Sequence, residues 1–171
     1  VRKDLSHLGS YGTRGVGYEV TFLSEQIAAV VGQTQPWHVV IVGAGHLGSA
    51  LAAYQGFGAR GVKVSAVIEA DPNLIGTKID GIEIQSIEEL AAVVADESIS
   101  MAVIATPPTA AQGAVDALVA AGVRSILNFA PTAVQVPADV DIRQVDVATE
   151  LQILGYHAHR RAVADPQAVN L

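Results

Sequence analysis

The stretch "VVIVGAGHLGSAL", residues 39–51, constrains the fold of this chain more than any other. A β-branched apolar run that stops at glycine reads as a buried parallel strand, and the residues that follow open a helix. Gly43, Gly45 and Gly48 fall at the spacing G-x-G-x-x-G on that junction. The first glycine permits a tight turn, the second lets backbone approach a pyrophosphate, and the third lets helix pack closely on strand. Helix N-terminal amides then face the phosphates, which places Ala44, His46 and Leu47 in the same cradle. His46 has no acidic partner nearby in sequence to orient it, so it is read as a phosphate-side residue and not as a base. Glu69 stands 21 residues beyond Gly48, at the end of a second strand, "VKVSAVIEAD". An acidic side chain there accepts hydrogen bonds from both adenosine ribose hydroxyls and repels a 2′-phosphate, so NAD(H) is expected as cofactor in preference to NADP(H). The alternatives are glycines that serve only helix packing and a solvated Glu69. Asp71 is the competing carboxylate, read as a turn former before Pro72.

Alternation continues along the chain. "MAVIATPP" and "VRSILNFAP" repeat the strand pattern. Helical stretches lie between the strands: "HLGSALAAYQGF", then "SIEELAAVVADE" with Ser86 and Glu89 as a capping box, then "PTAAQGAVDALVAAG" stopped by Gly122. Strands alternating with helices give an α/β fold, a Rossmann-type doubly wound and mainly parallel sheet. Ahead of it, "TFLSEQIAAVVG" predicts a connecting helix that ends at Gly32. After it, Val147, Leu151, Leu154 and Ala158 recur near helical spacing, so a C-terminal helix follows the sheet.

With 171 residues, half of them apolar, one compact domain plus attachments is expected. The net charge of −7 argues against a general nucleic-acid or membrane coat, but its distribution is uneven. Arg2, Lys3 and Arg14 against Asp4 make residues 1–18 net +2, leaving −9 for the remainder. The absence of cysteine fits a reducing compartment. No charged-then-apolar leader is present, and no apolar run approaches the roughly 20 residues that span a bilayer. The expectation is a soluble cytoplasmic protein without a membrane partner.

Open α/β sheets bind ligands at the carboxyl ends of their strands. Thr106 and Pro107 occupy one such end, and Asn128 and Phe129 another. The Asn128 amide could bond a nicotinamide carboxamide and Phe129 could pack on the ring. The alternative makes Asn128 a turn residue and Phe129 core. His157 and His159 face different sides of a helix, so no metal site is expected. No catalytic residue is assigned.

In this order, "VRKDLSHLGSYGTRGVGY", "VGAGHLGSAL", "IATPPTAAQ" and "SILNFAPT" resemble the Rex family of redox-sensing transcriptional repressors, along essentially the whole chain. The resemblance implies a winged-helix DNA-binding domain, a Rossmann domain for NADH and NAD⁺, and a homodimer with exchanged C-terminal helices. It divides the chain into a winged-helix remnant at 1–18, a connecting helix and linker at 19–35, the NAD(H)-binding domain at 36–145, and a dimerisation helix and tail at 146–171. Residues 1–7 then resemble the end of the recognition helix and residues 9–18 the wing hairpin. The helices that precede a recognition helix have no counterpart ahead of Val1, so the chain is expected to begin inside a domain. Arg2 and Lys3 would reach the major groove of operator DNA and Arg14 the minor groove. Tyr54 and Tyr156 resemble aromatic positions near the nicotinamide, Tyr156 reaching in from the partner subunit. Asp146 resembles an acidic residue that ties the sheet to the exchanged helix and the DNA-binding domain.

Two other classes use similar features. An NAD-dependent oxidoreductase needs a proton donor and a substrate pocket, and only about 25 residues follow the expected sheet domain at 36–145. A CoA-binding domain is suggested by "PPTAAQGAVDALVAAGVRSILNFA"; Glu69 and the glycine-rich hairpin argue against it.

Overall fold

The structure, a computed structural model, describes residues 12–13, 17–18, 20–30 and 36–164. Two short strands, β1 (Gly12–Thr13) and β2 (Gly17–Tyr18), pair antiparallel, with Gly12 opposite Tyr18 and Thr13 opposite Gly17. These strands lie within residues 9–18, where the resemblance implies a wing hairpin. Arg2, Lys3 and Arg14 lie outside the described residues. Helix α1 (Val20–Val30) follows and ends two residues before Gly32.

The body of the chain is a seven-stranded sheet with helices on both faces. Its elements are β3 (Trp37–Val42), α2 (His46–Ala52), β4 (Val62–Glu69), β5 (Lys78–Ile79), β6 (Ile82–Ser86), α3 (Leu90–Asp96), β7 (Met101–Ile104), α4 (Pro108–Ala120), β8 (Ser125–Asn128) and β9 (Asp141–Gln144). Helix α5 (Val147–Ala164) leaves the sheet after two residues. The order across the sheet is β5-β6-β4-β3-β7-β8-β9, with all neighbours parallel except β5 on β6. Six parallel strands outward from β3 in this order are the dinucleotide-binding arrangement, and the winding reverses between β3 and β7.

Strand alternation splits the core into two layers. Val40, Val42, Ile68, Ile104 and Ile126 face α3 and α4, where Leu90, Val93, Val115 and Leu118 meet them. Val39, Ile41, Val67 and Val103 face the other way, where Ala52 of α2 packs. Both layers read as continuous apolar runs in sequence because these strands are covered on both faces.

Three features depart from the sequence reading. The helix after the glycine loop ends at Ala52, not at Phe57: Gly56, Gly58 and Gly61 weaken helical continuation, and a short 3₁₀ turn (Gly58–Arg60) takes over. The β5–β6 hairpin was not anticipated. Its turn residues Asp80 and Gly81 both have positive φ, 49° and 84°, the conformation that an Asp-Gly pair supplies between two strands. Strand β9 was also missed, since "DIRQ" has one apolar residue of four and takes its structure from pairing with β8. The Ser86–Glu89 capping box is present: Ser86 Oγ accepts from the Glu88 amide at 3.3 Å, and Glu89 accepts from the Ser86 amide at 3.0 Å. Gly122, at φ 101°, terminates α4 as expected.

Candidate functional site

The reversal point between β3 and β7 opens into a cavity of about 630 Å³. Its lining includes Gly43 and Gly45 from the loop after β3, Glu69 and Asp71 from the end of β4, and Ala105, Thr106 and Pro107 after β7. The structure therefore brings together five of the residues expected from sequence to form a cofactor site: Gly43, Gly45, Glu69, Thr106 and Pro107. Leu74, Ile87, Ala110, Gly113 and Ala114 also line it and were not anticipated. The small residues of "PTAAQGAVDA" at helical spacing were the available signal.

The three motif glycines have three separate reasons. Gly43 sits at φ 103°, and a Cβ there would lie 2.7 Å from the Ala105 carbonyl oxygen. A Cβ on Gly48 would collide with the Gly43 carbonyl, so α2 can start where it does only without a side chain. At Gly45, by contrast, a Cβ would meet no atom of the described residues within 4 Å, and φ is an ordinary −65°. No contact within the described residues requires glycine there. Gly45 lines the cavity, where the missing side chain leaves the backbone open to a ligand.

Glu69 is half-buried and holds the loop in place. One carboxylate oxygen accepts from the Ala44 amide at 2.7 Å, and the other accepts from the amides of Ala70 at 2.7 Å and Asp71 at 3.2 Å. A carboxylate has roughly four lone-pair directions, so three backbone donors leave capacity for a hydroxyl. Asp71 accepts from the backbone and side-chain amide of Asn73 at 2.9 and 2.8 Å, as a turn former does. Among the described residues, Thr106 Oγ1 is a buried side-chain oxygen without a hydrogen-bond partner. Thr106 lines the cavity together with an acidic residue and a glycine cradle, a set that fits a polar cofactor. These residues suit a dinucleotide with its pyrophosphate over Gly45 and a ribose at Glu69.

Asn128 requires a correction. It is completely buried, donating to the Thr132 carbonyl at 3.2 Å and to Gln144 Oε1 at 2.8 Å while accepting from the Ala130 amide at 2.9 Å. Gln144 closes the network by donating to the Ala130 carbonyl at 2.7 Å. Both amide hydrogens are committed to the protein, so in this structure Asn128 braces the loop after β8 and has no donor for a carboxamide. Phe129 is partly buried against the cluster of Ile41, Val67 and Val103. Neither residue lines the cavity.

The remaining candidates lie around its margin. His46 and Leu47 are exposed at the start of α2, the latter at 44%. Tyr54 is exposed beyond the end of α2, edge-on to Phe57 with ring centres 5.1 Å apart. Tyr156 is exposed on α5, with the Arg160 guanidinium 5.9 Å from its ring centre. Asp146 caps α5: it accepts from the amides of Ala148 and Thr149 and, at 2.8 Å, from the Thr149 hydroxyl. That hydroxyl, followed by the two amides, holds its carboxyl below the ordinary value of 3.8. Among the described residues, no cluster of three or more His, Asp or Glu side chains could hold a metal, and no helix is long and apolar enough to cross a membrane.

Comparison with known proteins agrees with this geometry. Residues 34–132 match the CoA binding domain family. A redox-sensing transcriptional repressor Rex from Streptomyces griseus is 55% identical over 168 residues, covering 98% of this chain and 66% of the relative. Another from a Roseiflexus species is 44% identical over 160 residues, covering 94% of this chain and 73% of the relative. The chain thus spans about two thirds of the length of these curated relatives. Among solved structures, the Rex-family repressor RSP in complex with β-NAD⁺ and operator DNA superposes with a TM-score of 0.84 at 30% identity, over 99% of this chain and 78% of that one. The same repressor with β-NADH gives 0.78 at 28% identity, over 97% and 77%. A wound sheet of this order, a CoA-binding-type domain and relatives this similar lead to one conclusion: the chain belongs to the Rex family of redox-sensing transcriptional repressors.

Proposed function

We propose that this chain is the cofactor-sensing and dimerising part of a cytoplasmic repressor that binds operator DNA as a homodimer and leaves it when NADH binds. The observation that carries the proposal is Gly45, a residue that no contact among the described residues requires to be glycine, placed on a cavity beside Glu69 and Thr106. The fit of RSP, a repressor solved with NAD⁺ and operator DNA and again with NADH, supports the same reading. Residues 1–18 would contribute the end of a recognition helix and a wing, with Arg2, Lys3 and Arg14 on DNA. Residues 19–35 would connect, 36–145 bind the dinucleotide, and 146–171 dimerise.

The redox signal is carried by the nicotinamide, cationic when oxidised and neutral when reduced. The glycine loop and Glu69 see groups that both forms share, so they hold the dinucleotide without distinguishing its state. Discrimination falls to apolar surface at the nicotinamide end, because burying the cationic ring costs free energy that the neutral ring does not pay. Phe129, Tyr54 and the partner subunit's Tyr156 are the candidates for that surface. Helix α5 supports a dimer: Val147, Leu151 and Leu154 share one face and are each about 60% exposed, an apolar stripe suited to a second subunit, while Tyr156 lies exposed on the opposite side of the helix.

The test uses the full-length protein on labelled operator DNA, read by fluorescence anisotropy. NADH is expected to release the DNA, and NAD⁺ and CoA are not. Release by CoA alone would favour a CoA sensor, and consumption of NADH with small ketones or aldehydes would favour an oxidoreductase.

A further inference from the structure

Helix α5 is 18 residues long, and every side chain of it that the structure describes is exposed. A helix that buries nothing against its own sheet takes its direction from the residues that lead into it, as hinged elements do. Only Val145 and Asp146 separate α5 from β9, whose last residue is Gln144. Strand β9 is the edge of the sheet, and its final rung sets Gln144 opposite Asn128 of β8. A polar residue on an open edge is ordinarily solvated. Here both ends of the amide are used: Gln144 Oε1 accepts from Asn128 Nδ2 at 2.8 Å, and Gln144 Nε2 donates to the Ala130 carbonyl at 2.7 Å. Accepting at one atom while donating at the next is what a carboxamide side chain supplies and a hydrocarbon or an ion does not. The following amide, of Val145, donates to the Asn128 carbonyl at 2.8 Å. On its other side β8 is tied to the cavity, because Asn128 lies opposite Ile104 and the Phe129 amide donates to the Ile104 carbonyl at 2.9 Å. Ala105 and Thr106, the next residues after Ile104, line that cavity. Successive hydrogen-bonded rungs therefore run from the cavity margin to the start of α5.

We infer that Gln144 is a positioning residue: its amide fixes the angle at which α5 leaves the sheet and, through Asn128, ties that angle to the strand end bordering the cofactor cavity. The inference rests on the reading of α5 as a dimerisation helix given above. It adds to that reading the residue that aims the helix.

The experiment uses the full-length protein with a spin label on a single cysteine introduced as His159→Cys, an exposed position toward the far end of α5. That site lies about 18 Å along the helix from its start, so a tilt of about 15° moves the label by about 5 Å. Gln144→Met keeps the length of the side chain and loses both hydrogen bonds. It is expected to shift or broaden the distance between the two labels of the dimer by about 5 Å. It is also expected to shrink about tenfold the ratio of operator Kd with saturating NADH to operator Kd without it, while NADH binding to the DNA-free dimer stays within about threefold. Gln144→Asn, one methylene too short to reach both partners, is expected to act in the same direction, so the test survives if the methionine variant fails to fold. An unchanged label distance in a folded dimer overturns the inference, as does a shifted distance with the operator ratio intact. A loss of NADH affinity as large as the loss in the ratio also overturns it, since that marks a distorted cavity. If NADH leaves the operator affinity of the unmodified protein unaltered and Gln144→Met still shifts the labels, Gln144 stands as the residue that aims α5 and the NADH reading falls. Absence of a label-to-label distance in the unmodified protein removes the dimer reading and the inference together.

Discussion

Gly45 and Gly48 sit three residues apart in one motif, yet substitution separates them. Gly48→Ala places a methyl group on the Gly43 carbonyl and is expected to cost about 1–3 kcal/mol of stability. Gly45→Ala meets open space and should leave the stability within about 0.5 kcal/mol of the parent while weakening NADH. Thermal melts and calorimetric titration of both variants check this, and a Gly45→Ala protein with normal NADH affinity would remove the carrying observation. Glu69 acts at the same scale but on two partners. As it anchors the Ala44 amide and is proposed to accept from a ribose, Glu69→Ala is expected to weaken NADH and NAD⁺ together by roughly 1.5–3 kcal/mol and to relax rejection of NADPH. Unchanged affinities for all three would return Asp71 to candidacy, although that carboxylate is engaged by Asn73.

Helix α5 is anchored at one end by its cap. Asp146 accepts three hydrogen bonds in the charged form, so its carboxyl is depressed and the cap contributes stability fully present above the unfolded value of 3.8. That contribution is lost as pH falls from 3.8 through the lower folded value, and between pH 6 and 8 the cap is constant. Amide chemical shifts of Ala148 and Thr149 should therefore titrate below 3.8 and lose that titration in Asp146→Ala. A midpoint above 3.8 would contradict the capping geometry. Because the cap is silent near neutral pH, it fixes where α5 starts and is not a physiological pH sensor.

At the scale of the whole molecule, a redox switch needs a free-energy difference large enough to move the repressor. Shifting a two-state dimer from 1:99 to 99:1 takes roughly 5.5 kcal/mol, or about 2.7 kcal/mol for each of two sites, close to a hundredfold in affinity per site. If Tyr156 encloses the partner's nicotinamide, Tyr156→Ala should narrow the preference for NADH over NAD⁺ and raise the NADH needed to release DNA, with the dimer retained. Analytical ultracentrifugation together with NADH and NAD⁺ titrations checks this. Loss of the dimer with discrimination intact at each site would make the residue structural.

The glycine motif, Glu69 and the four central strands were legible in sequence because each depends on local constraints: a turn that excludes side chains, a strand buried on both faces, a carboxylate at a strand end. Ser86 and Glu89 were legible for the same reason, since a capping box is complete within four residues. Asn128 was not. Its role depends on Gln144, 16 residues later on a strand whose own sequence carries little β signal, and only the pairing of β8 with β9 brings the two amides together. The cavity lining from α4 was signalled only by small residues at helical spacing, because Gly113 reads as a weak helix residue until Leu74, Ile87 and Glu69 share its cavity. Local backbone chemistry determined the sheet and its glycine loop; the tertiary structure decided which side chains were consumed in holding it together and which were left open to a cavity, because burial and hydrogen-bond satisfaction depend on elements distant in sequence.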